Sequence, residues 1–269
     1  MIKNLMLPCD KIRAYSDDAI AHIIFNNPER HNAVSLEMWD SVKIALSEFK
    51  LKDEIRVLIF SGSGGKSFVS GADISKFEKE RGTKEATANY NATLKIVYQI
   101  IENYPKPTIS MINGHCIGGG LNLAACTDIR IASNKSKFAM PAAKLALGYP
   151  FDAVRRLINA VGLAQAKHLM FTGNPISADR ALNIGLLQEV IPEDSLSMHV
   201  TNLAQTIVSN APMTIASMKF IATQVVCSDP TLQDLATCDT MVNNCFASYD
   251  YKEGRRAFME KRKPIFKGQ

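Results

Sequence analysis

Three consecutive glycines, Gly118, Gly119 and Gly120, separate a segment that predicts a strand (residues 107–112) from one that predicts a helix (120–126). A strand that turns into a helix through glycines exposes main-chain N–H groups, with the positive end of the helix dipole behind them. Such a turn can hold an oxygen that becomes negative during a reaction, and each donor then contributes roughly 3 to 4 kcal/mol. The alternative is that the glycines only let the helix pack closely on the strand. From these residues alone, oxyanion binding and close packing are equally supported.

Two other glycine-dependent functions are not supported by the spacing. The run LIFSGSGGKS (58–67) ends like a phosphate-binding loop, but Phe60 occupies the position where that motif needs its first glycine. The 118–120 run lacks the GxGxxG pattern and the following acidic residue of a dinucleotide fingerprint. Nucleotide hydrolysis and hydride transfer are therefore disfavoured.

The composition is that of an ordinary globular protein, with 269 residues, 46% of them hydrophobic and 21% charged. No apolar run reaches the roughly 18 residues that a membrane span needs, and the first residues, MIKNLMLPCDK, do not resemble a signal peptide. We therefore expect a cytoplasmic protein without a membrane partner. The net charge of +5 includes one basic cluster, residues 252–267, which favours solvent or cofactor phosphates over nucleic acid.

The cysteines and histidines do not predict a metal site. Six cysteines and five histidines are scattered through the chain, without a CxxC pair or an HExxH motif. We expect reduced, packed thiols and no bound metal.

Three segments share one order of elements, a short apolar strand, a loop of small residues and an amphipathic helix. The predicted strands are 19–25, 57–60 and 107–112, and the helices that follow them are 36–49, 74–80 and 120–126. In sheets built this way the loops gather at one edge, so the loops near residues 71 and 118 should face each other.

Beyond residue 150 the pattern is mostly helical, with predicted helices at 153–161, 161–171, 177–185, 195–210, 212–228 and 232–249 and one strand at 186–192. The expected fold class is α/β, with a core over 1–200 and a helical region over 201–269.

Four segments together resemble the crotonase superfamily, the enoyl-CoA hydratase and isomerase group. They are SFVSGADISKFE (67–78), KPTISMINGHCIGGGLNLAACTDIRIAS (106–133), NPERHNAVS (27–35) and AFMEKRKPIF (257–266). The resemblance runs from about residue 12 to the C-terminus. It implies a spiral of repeated ββα units, a helical C-terminal region that assembles a homotrimer or a dimer of trimers, and a bound coenzyme A thioester with no further cofactor.

The resemblance also implies roles for individual residues. The thioester oxygen would be held by the main-chain N–H groups of Ala72 and Gly119. The coenzyme A phosphates and adenine would lie near Arg30 and the loop before Ala72, with Phe258 and Lys261 contributing from the same or a neighbouring chain. The implied substrate-binding residues are Arg30, Ser70, Gly71, Asp73, Ile74, Gly118, Ala142, Tyr149, Phe258 and Lys261.

The chain departs from the family pattern at both glutamates that hydratases use to activate water. The matching positions hold Asn122 and Ala142, and neither side chain exchanges a proton at neutral pH. Ordinary water addition is therefore disfavoured, and isomerisation, decarboxylation and thioester hydrolysis stay open. Asp152 is the candidate acid or base, although an N-cap of the helix 153–161 is the preferred interpretation of that residue.

Two other hypotheses remain. A non-catalytic acyl-CoA-binding homologue would keep the N–H groups and lose the acids. A serine peptidase is weakest, because no GxSxG elbow occurs.

Overall fold

The computed structural model describes residues 2–227 and 229–269, so residues 1 and 228, the latter being the end of the helix predicted over 212–228, lie outside it. The described chain is a mixed α/β fold of eleven strands and ten helices. The strands are β1 (Ile2–Leu5), β2 (Ile12–Asp17), β3 (Ile20–Phe25), β4 (Val57–Gly62), β5 (Ser67–Val69), β6 (Thr108–Ile112), β7 (His115–Ile117), β8 (Ile129–Ser133), β9 (Lys137–Ala139), β10 (Ile176–Ser177) and β11 (Glu189–Ile191). The helices are α1 (Leu36–Lys50), α2 (Phe77–Arg81), α3 (Lys84–Glu102), α4 (Gly119–Cys126), α5 (Phe151–Thr172), α6 (Ala178–Asn183), α7 (Glu193–Ser209), α8 (Pro212–Val225), α9 (Leu235–Ala247) and α10 (Tyr249–Met259).

The strands form two sheets. The larger has the order β1-β2-β3-β4-β6-β8-β11 and is parallel from β3 onward, and the smaller has the order β10-β9-β7-β5, with β5, β7 and β9 parallel. The pairs β4–β5, β6–β7 and β8–β9 each place one strand in each sheet and then lead into a helix. This repetition confirms the predicted spiral of ββα units.

The first four residues of β4, 57–60, are all apolar because both faces of the sheet are covered there. Leu58 and Phe60 pack in the main core, whereas Val57 and Ile59 pack in a second cluster on the other face of the sheet. That second cluster includes three residues of α7, Leu196, Val200 and Ala204. A parallel sheet covered on both faces requires apolar side chains at successive positions.

The main error of the sequence prediction concerns the short strands. Residues 67–69 and 115–117 were expected in loops, but they form β5 and β7 of the smaller sheet. A three-residue strand is too short to show a periodic pattern. The helix expected over 74–80 is a 3-10 turn at Ile74–Lys76 followed by α2, and β10 is a second strand in the late region.

The helical C-terminal region is present, and polar contacts tie it to the sheet. The guanidinium group of Arg56 donates to the carbonyl oxygens of Val208 (3.0 Å) and Phe266 (2.7 Å), and Lys219 Nζ lies 2.7 Å from Asp128 Oδ2. The boundary expected at residue 200 lies inside α7, which runs from Glu193 to Ser209. Across the described ranges, no helix combines the length and apolar character that crossing a membrane requires.

Candidate active site

The two glycine turns lie side by side at one edge of the smaller sheet. Strand β5 pairs with β7 in parallel, so the turn after β5 and the turn after β7 leave the sheet together. A Cβ atom placed on Gly71 would lie 3.8 Å from the Gly119 nitrogen. The structure therefore brings together the loops near residues 71 and 118, as the sequence predicted.

A different physical factor explains why each of the three consecutive positions is glycine. Gly118 has φ +55°, in the left-handed region that side chains disfavour. A Cβ on Gly120 would collide with the main chain of Val69, so this glycine permits the close packing of α4 on β5. A Cβ on Gly119 would meet only ordinary contacts, at 3.5 Å from Tyr98 Oη and 3.7 Å from Gly71 Cα. Packing thus explains Gly120 and leaves Gly119 free for another role.

Ala72 forms an isolated parallel bridge with Val34 of the same chain. In this bridge the main-chain N–H of Ala72 points away from the Val34 segment. This bridge uses the carbonyl oxygen of Gly71, which accepts from Val34 N at 2.9 Å, and the N–H of Asp73, which donates to Val34 O at 3.0 Å. In a parallel bridge the central residue's own N–H points to the opposite side. Within the described chain, neither Ala72 N–H nor Gly119 N–H donates a hydrogen bond to another main-chain or side-chain group.

A cavity of about 680 Å³ opens in front of both turns. Ten of the predicted site residues line it, namely Ser70, Gly71, Ala72, Ile74, Gly118, Gly119, Asn122, Ala142, Tyr149 and Asp152. Most of its remaining wall is apolar, as small-molecule sites generally are.

Four predicted site residues do not line this cavity. Asp73 caps the 3-10 turn that follows it, since its Oδ1 accepts from Ser75 N (3.1 Å), and Arg30 Nη1 lies 3.7 Å from the same oxygen. Phe258, on α10, is 82% exposed and lines a separate cavity of about 700 Å³ between the C-terminal helices. Lys261 follows α10 in an exposed segment. A single chain therefore does not bring Phe258 and Lys261 to the glycine turns.

The two positions that the family resemblance assigned to hydratase glutamates, residues 122 and 142, both line the cavity. Asn122, on α4, is only 5% exposed, and its Oδ1 accepts no hydrogen bond from any described residue. Ala142 lies in the 3-10 turn Pro141–Leu145. Residue 122 therefore carries a buried, unpaired amide oxygen, and residue 142 has no polar side-chain atom.

Asp152 does not have the capping role that was expected of it. The N-cap of α5 is Pro150, and Asp152 lies in the first turn of the helix. Its Oδ1 lies 3.8 Å from Arg155 Nε. The N-cap prediction is wrong because α5 begins two residues earlier than the expected start at 153. Among the described residues that line the cavity, Asp152 is the sole carboxylate.

Two tyrosine hydroxyls that line the cavity donate hydrogen bonds to the glycine turn. Tyr149 Oη donates to the carbonyl oxygen of Gly118 at 3.3 Å, and Tyr98 Oη donates to that of Gly119 at 3.2 Å. Burial is the main reason that the pKa of each phenol is raised above its usual value. Both groups are therefore neutral hydrogen-bond donors at physiological pH. Sequence reasoning missed Tyr98, although it falls on the buried face of α3 with Tyr90, Val97 and Ile101.

Arg156 is a second residue that sequence reasoning missed. It lines the cavity and is 4% exposed, and its Nε donates to Glu102 Oε2 at 3.0 Å. Its Nη2 is buried without a hydrogen-bond partner among the described residues. The sequence does contain a signal, because Arg156 shares a helix face with Ala153 and Leu157, both buried. A charged residue on an apolar face is rarely buried unless it is paired or functional.

Comparison with known proteins identifies the relatives of this chain. A family model described as enoyl-CoA hydratase/isomerase matches residues 16–269. A crotonyl-CoA hydratase of Syntrophomonas wolfei is 34% identical over 93% of this chain and 95% of its own length. A methylmalonyl-CoA decarboxylase of Escherichia coli is 33% identical, with the same two coverages of 93% and 95%. The crystal structure of an enoyl-CoA hydratase/carnithine racemase from Magnetospirillum magneticum superimposes with a TM-score of 0.91 at 30% identity, covering 99% of this chain and 97% of that one.

Proposed function

Because the chain belongs to the enoyl-CoA hydratase/isomerase family, we propose that it converts an acyl-CoA thioester through an enolate. In this proposal the thioester oxygen is bound by the main-chain N–H groups of Ala72 and Gly119, and the acyl chain occupies the 680 Å³ cavity. The carbon next to a thioester carbonyl is a weak acid, and two donors to the developing oxyanion lower the cost of removing its proton.

One observation supports this proposal above the others. Two N–H groups from separate turns have no acceptor within the described residues, and both residues line one mostly apolar cavity. The first N–H groups of a helix have no acceptor within that helix, so the Gly119 N–H is available because Gly119 begins α4. The Ala72 N–H lies at the same cavity, so one ligand oxygen could accept from both. A packing role explains Gly120 but accounts for neither free N–H group.

The proposed chemistry is proton transfer at the carbon next to the carbonyl, with Asp152 as the proton carrier. Hydration by the two-glutamate route needs carboxylates on both sides of the double bond, and residues 122 and 142 supply none. Asp152 lines the cavity, and its side chain is 31% exposed, so solvent can reach it. Isomerisation of an enoyl-CoA is the reaction class that one carboxylate and an oxyanion site can complete.

Tyr149 is proposed to position one of the two donors. The carbonyl of Gly118 and the N–H of Gly119 belong to the same peptide unit, so the hydrogen bond from Tyr149 to Gly118 O (3.3 Å) fixes the plane that carries that N–H. Donation to the carbonyl also polarises the peptide and strengthens its N–H as a donor.

Exchange of the C2 proton in deuterated water tests the proposal without assuming the final product. The wild-type protein should incorporate deuterium at C2 of saturated short-chain acyl-CoA thioesters and shift the double bond of an enoyl-CoA. Mass spectrometry measures the first change and NMR the second.

Two variants at one position isolate the donor. Gly119→Pro removes the N–H, and proline is tolerated at the first position of a helix, where Gly119 lies. Gly119→Ala keeps the N–H, and its Cβ would meet its nearest neighbours at ordinary distances of 3.5 to 3.9 Å. Exchange should fall about 100-fold or more in the proline variant and much less in the alanine variant. Equal rates in both would remove the Gly119 N–H from the mechanism.

A second candidate reaction is decarboxylation of a malonyl-type thioester. The bond to the departing carbon dioxide supplies the electron pair of the enolate, so this reaction needs the oxyanion donors and no base. The absence of acids at residues 122 and 142 favours it, and so does the E. coli relative named a methylmalonyl-CoA decarboxylase. Release of carbon dioxide from methylmalonyl-CoA distinguishes decarboxylation from isomerisation.

Thermal stabilisation by acyl-CoA thioesters without exchange, isomerisation or carbon dioxide release would instead indicate a non-catalytic acyl-CoA-binding protein.

We also propose that the protein assembles into a homotrimer or a dimer of trimers through its C-terminal helices. Phe246, Phe258 and Met259 are 60%, 82% and 80% exposed in the single chain, an apolar surface of the kind that marks an interface. Assembly would also allow Phe258 and Lys261 to reach a neighbour's coenzyme A, while Arg30 and Asp73 remain proposed contacts from the same chain. Light scattering coupled to gel filtration measures the mass.

A further inference from the structure

We propose that the acyl group recognised by this protein ends in a carboxylate, and that Arg156 binds it. The substrate class is then the half-thioester of a short dicarboxylic acid with coenzyme A, resting on the proposed function that the cavity holds the acyl group. Three observations support this inference, namely the charges of the cavity wall, the unpaired N–H of Arg156, and its position relative to the glycine turn.

The charges of the cavity wall favour an anion. Arg81, Lys95 and Arg156 line the cavity, whereas Asp152 is the one carboxylate among its described lining residues. The Nε of Arg81 is also buried without a partner in the described chain. A cavity lined by an excess of one sign of charge concentrates the opposite sign. Lys95 is exposed to solvent, and the Arg81 guanidinium lies over the rings of Phe77 and Tyr90. Arg156, only 4% exposed, is therefore the buried cation that an unsubstituted fatty acyl chain would leave facing a hydrocarbon.

The guanidinium group of Arg156 is incompletely satisfied by the protein. Its Nε donates to Glu102 Oε2 at 3.0 Å, but the same carboxylate also accepts from Arg155 Nη2, at 2.8 Å and 3.1 Å from its two oxygens. One glutamate is therefore shared between two arginines, and Arg156 Nη2 is left buried with no acceptor in the described residues. Leaving a buried charged donor unpaired is costly, and a carboxylate is the acceptor whose geometry fits a guanidinium best.

The position of Arg156 indicates a short chain. Its Cζ lies 5.6 Å from the centre of the Tyr98 ring, and the hydroxyl of that ring donates to Gly119 O at 3.2 Å. One tyrosine side chain thus spans the gap between the guanidinium group and the glycine turn. A carboxylate bound to Arg156 would be a few carbons from a thioester oxygen bound to Gly119 N–H.

In this arrangement the carboxylate is an anchor and not a leaving group. An ion pair with arginine stabilises the carboxylate, whereas loss of carbon dioxide would remove the charge that the arginine binds. We therefore expect the distal carboxylate to be retained while chemistry occurs next to the thioester.

The test compares thioesters of equal carbon number that differ only at the distal end. Glutaryl-CoA carries a carboxylate where pentanoyl-CoA carries a methyl group, and succinyl-CoA and butyryl-CoA form a shorter pair. Isothermal titration calorimetry should show the carboxylated member of at least one pair binding about 10- to 100-fold more tightly, the range that a hydrogen bond to a charged group corresponds to.

Two neighbouring arginines provide a matched control. Arg156→Met removes the cavity cation and leaves Glu102 paired with Arg155, so the preference should disappear. Arg155→Met removes a cation that pairs with the same glutamate but does not line the cavity, and the preference should remain. If Arg156→Met does not fold, Arg156→Lys keeps the charge without the planar fork, and it should retain a reduced preference.

The outcomes separate this inference from the proposed function. Tight binding of both members of each pair, with no preference for the carboxylate, would overturn the assignment of Arg156 and leave the acyl-CoA site in place. An equal loss of affinity for both members in Arg156→Met would show a structural role and also overturn it. If no thioester binds, the proposed function itself fails.

Discussion

The substitution Tyr149→Phe tests how the chain holds its proposed oxyanion donor. Phenylalanine keeps the ring and removes only the hydroxyl that donates to Gly118 O at 3.3 Å. Tyr98→Phe is the matched control, because Tyr98 donates at nearly the same distance, 3.2 Å, to the carbonyl of Gly119. That carbonyl belongs to the next peptide unit, whose N–H is that of Gly120. Each variant thus loses one hydrogen bond from a phenol to a main-chain carbonyl, on adjacent peptides, and only one of these peptides carries the Gly119 N–H. Tyr98→Phe also removes the contact of that hydroxyl with the Asn122 side chain.

The expected magnitude follows from two general values. A donor to a developing oxyanion contributes roughly 2.7 to 4 kcal/mol, and hydrogen bonds in a chain strengthen one another by about 10 to 30%. Removing that reinforcement costs about 0.3 to 1.2 kcal/mol, which is a rate decrease of about 2- to 8-fold. Because 3.3 Å is longer than the usual O–H···O distance, the lower half of that range is expected for Tyr149→Phe.

The assay is the rate of C2 deuterium exchange at saturating acyl-CoA, with the dissociation constant measured separately by calorimetry. Tyr149→Phe should lower the exchange rate and leave the dissociation constant unchanged, and Tyr98→Phe should lower the rate less. The pH profile of the rate should contain no ionisation of either phenol below pH 10, since burial raises the pKa of both. Equal rate decreases in the two variants, or a change confined to the dissociation constant, would refute the positioning role.

Two further predictions concern the acid and the C-terminal region. Asp152→Asn should lower C2 exchange about 100-fold or more if Asp152 carries the proton. It should change the free energy of unfolding by at most about 1 kcal/mol, because Asp152 lies in the first turn of α5 and is not its cap. Unchanged exchange in this variant would exclude Asp152 as the proton carrier. Glu253 accepts from Arg262, Ile265 N and Arg256, which lower its pKa below the ordinary value, so its stabilising effect is present above the unfolded glutamate pKa of about 4.3 and is lost as the pH falls towards the lower folded pKa. Calorimetry should therefore show a lower Tm for Glu253→Gln at pH 7 and a difference that shrinks below pH 4, and a difference that stays constant with pH would contradict this.

The fold was predictable where the hydrophobic signal is long. The run 57–60 predicted β4, because a parallel strand covered on both faces needs apolar residues at successive positions, and the short segment PTISMI (107–112) predicted β6. The three-residue strands β5 and β7 were not predictable in this way, although they set the two glycine turns beside each other. Their pairing depends on contacts between distant parts of the chain, which periodicity does not report.

The site was predictable for main-chain groups and much less so for side chains. The glycine run predicted main-chain donors near residue 118, and the family resemblance implied Ala72 and Gly119 as the pair. Both residues line one cavity. Tyr98 and Arg156 were missed, because each acquires its significance from a partner far along the chain, Gly119 for the phenol and Glu102 for the guanidinium. The N-cap prediction for Asp152 failed for a local reason, since Pro150 is the N-cap and α5 begins at Phe151.

The most direct measurement is a crystal structure with a non-reactive acyl-CoA analogue bound. We predict that the carbonyl oxygen at the thioester position lies within about 3.2 Å of both Ala72 N and Gly119 N, the usual limit for an N–H···O hydrogen bond. An oxygen that contacts neither nitrogen, with the analogue nevertheless bound in this cavity, would contradict the assignment of these two N–H groups as the oxyanion donors.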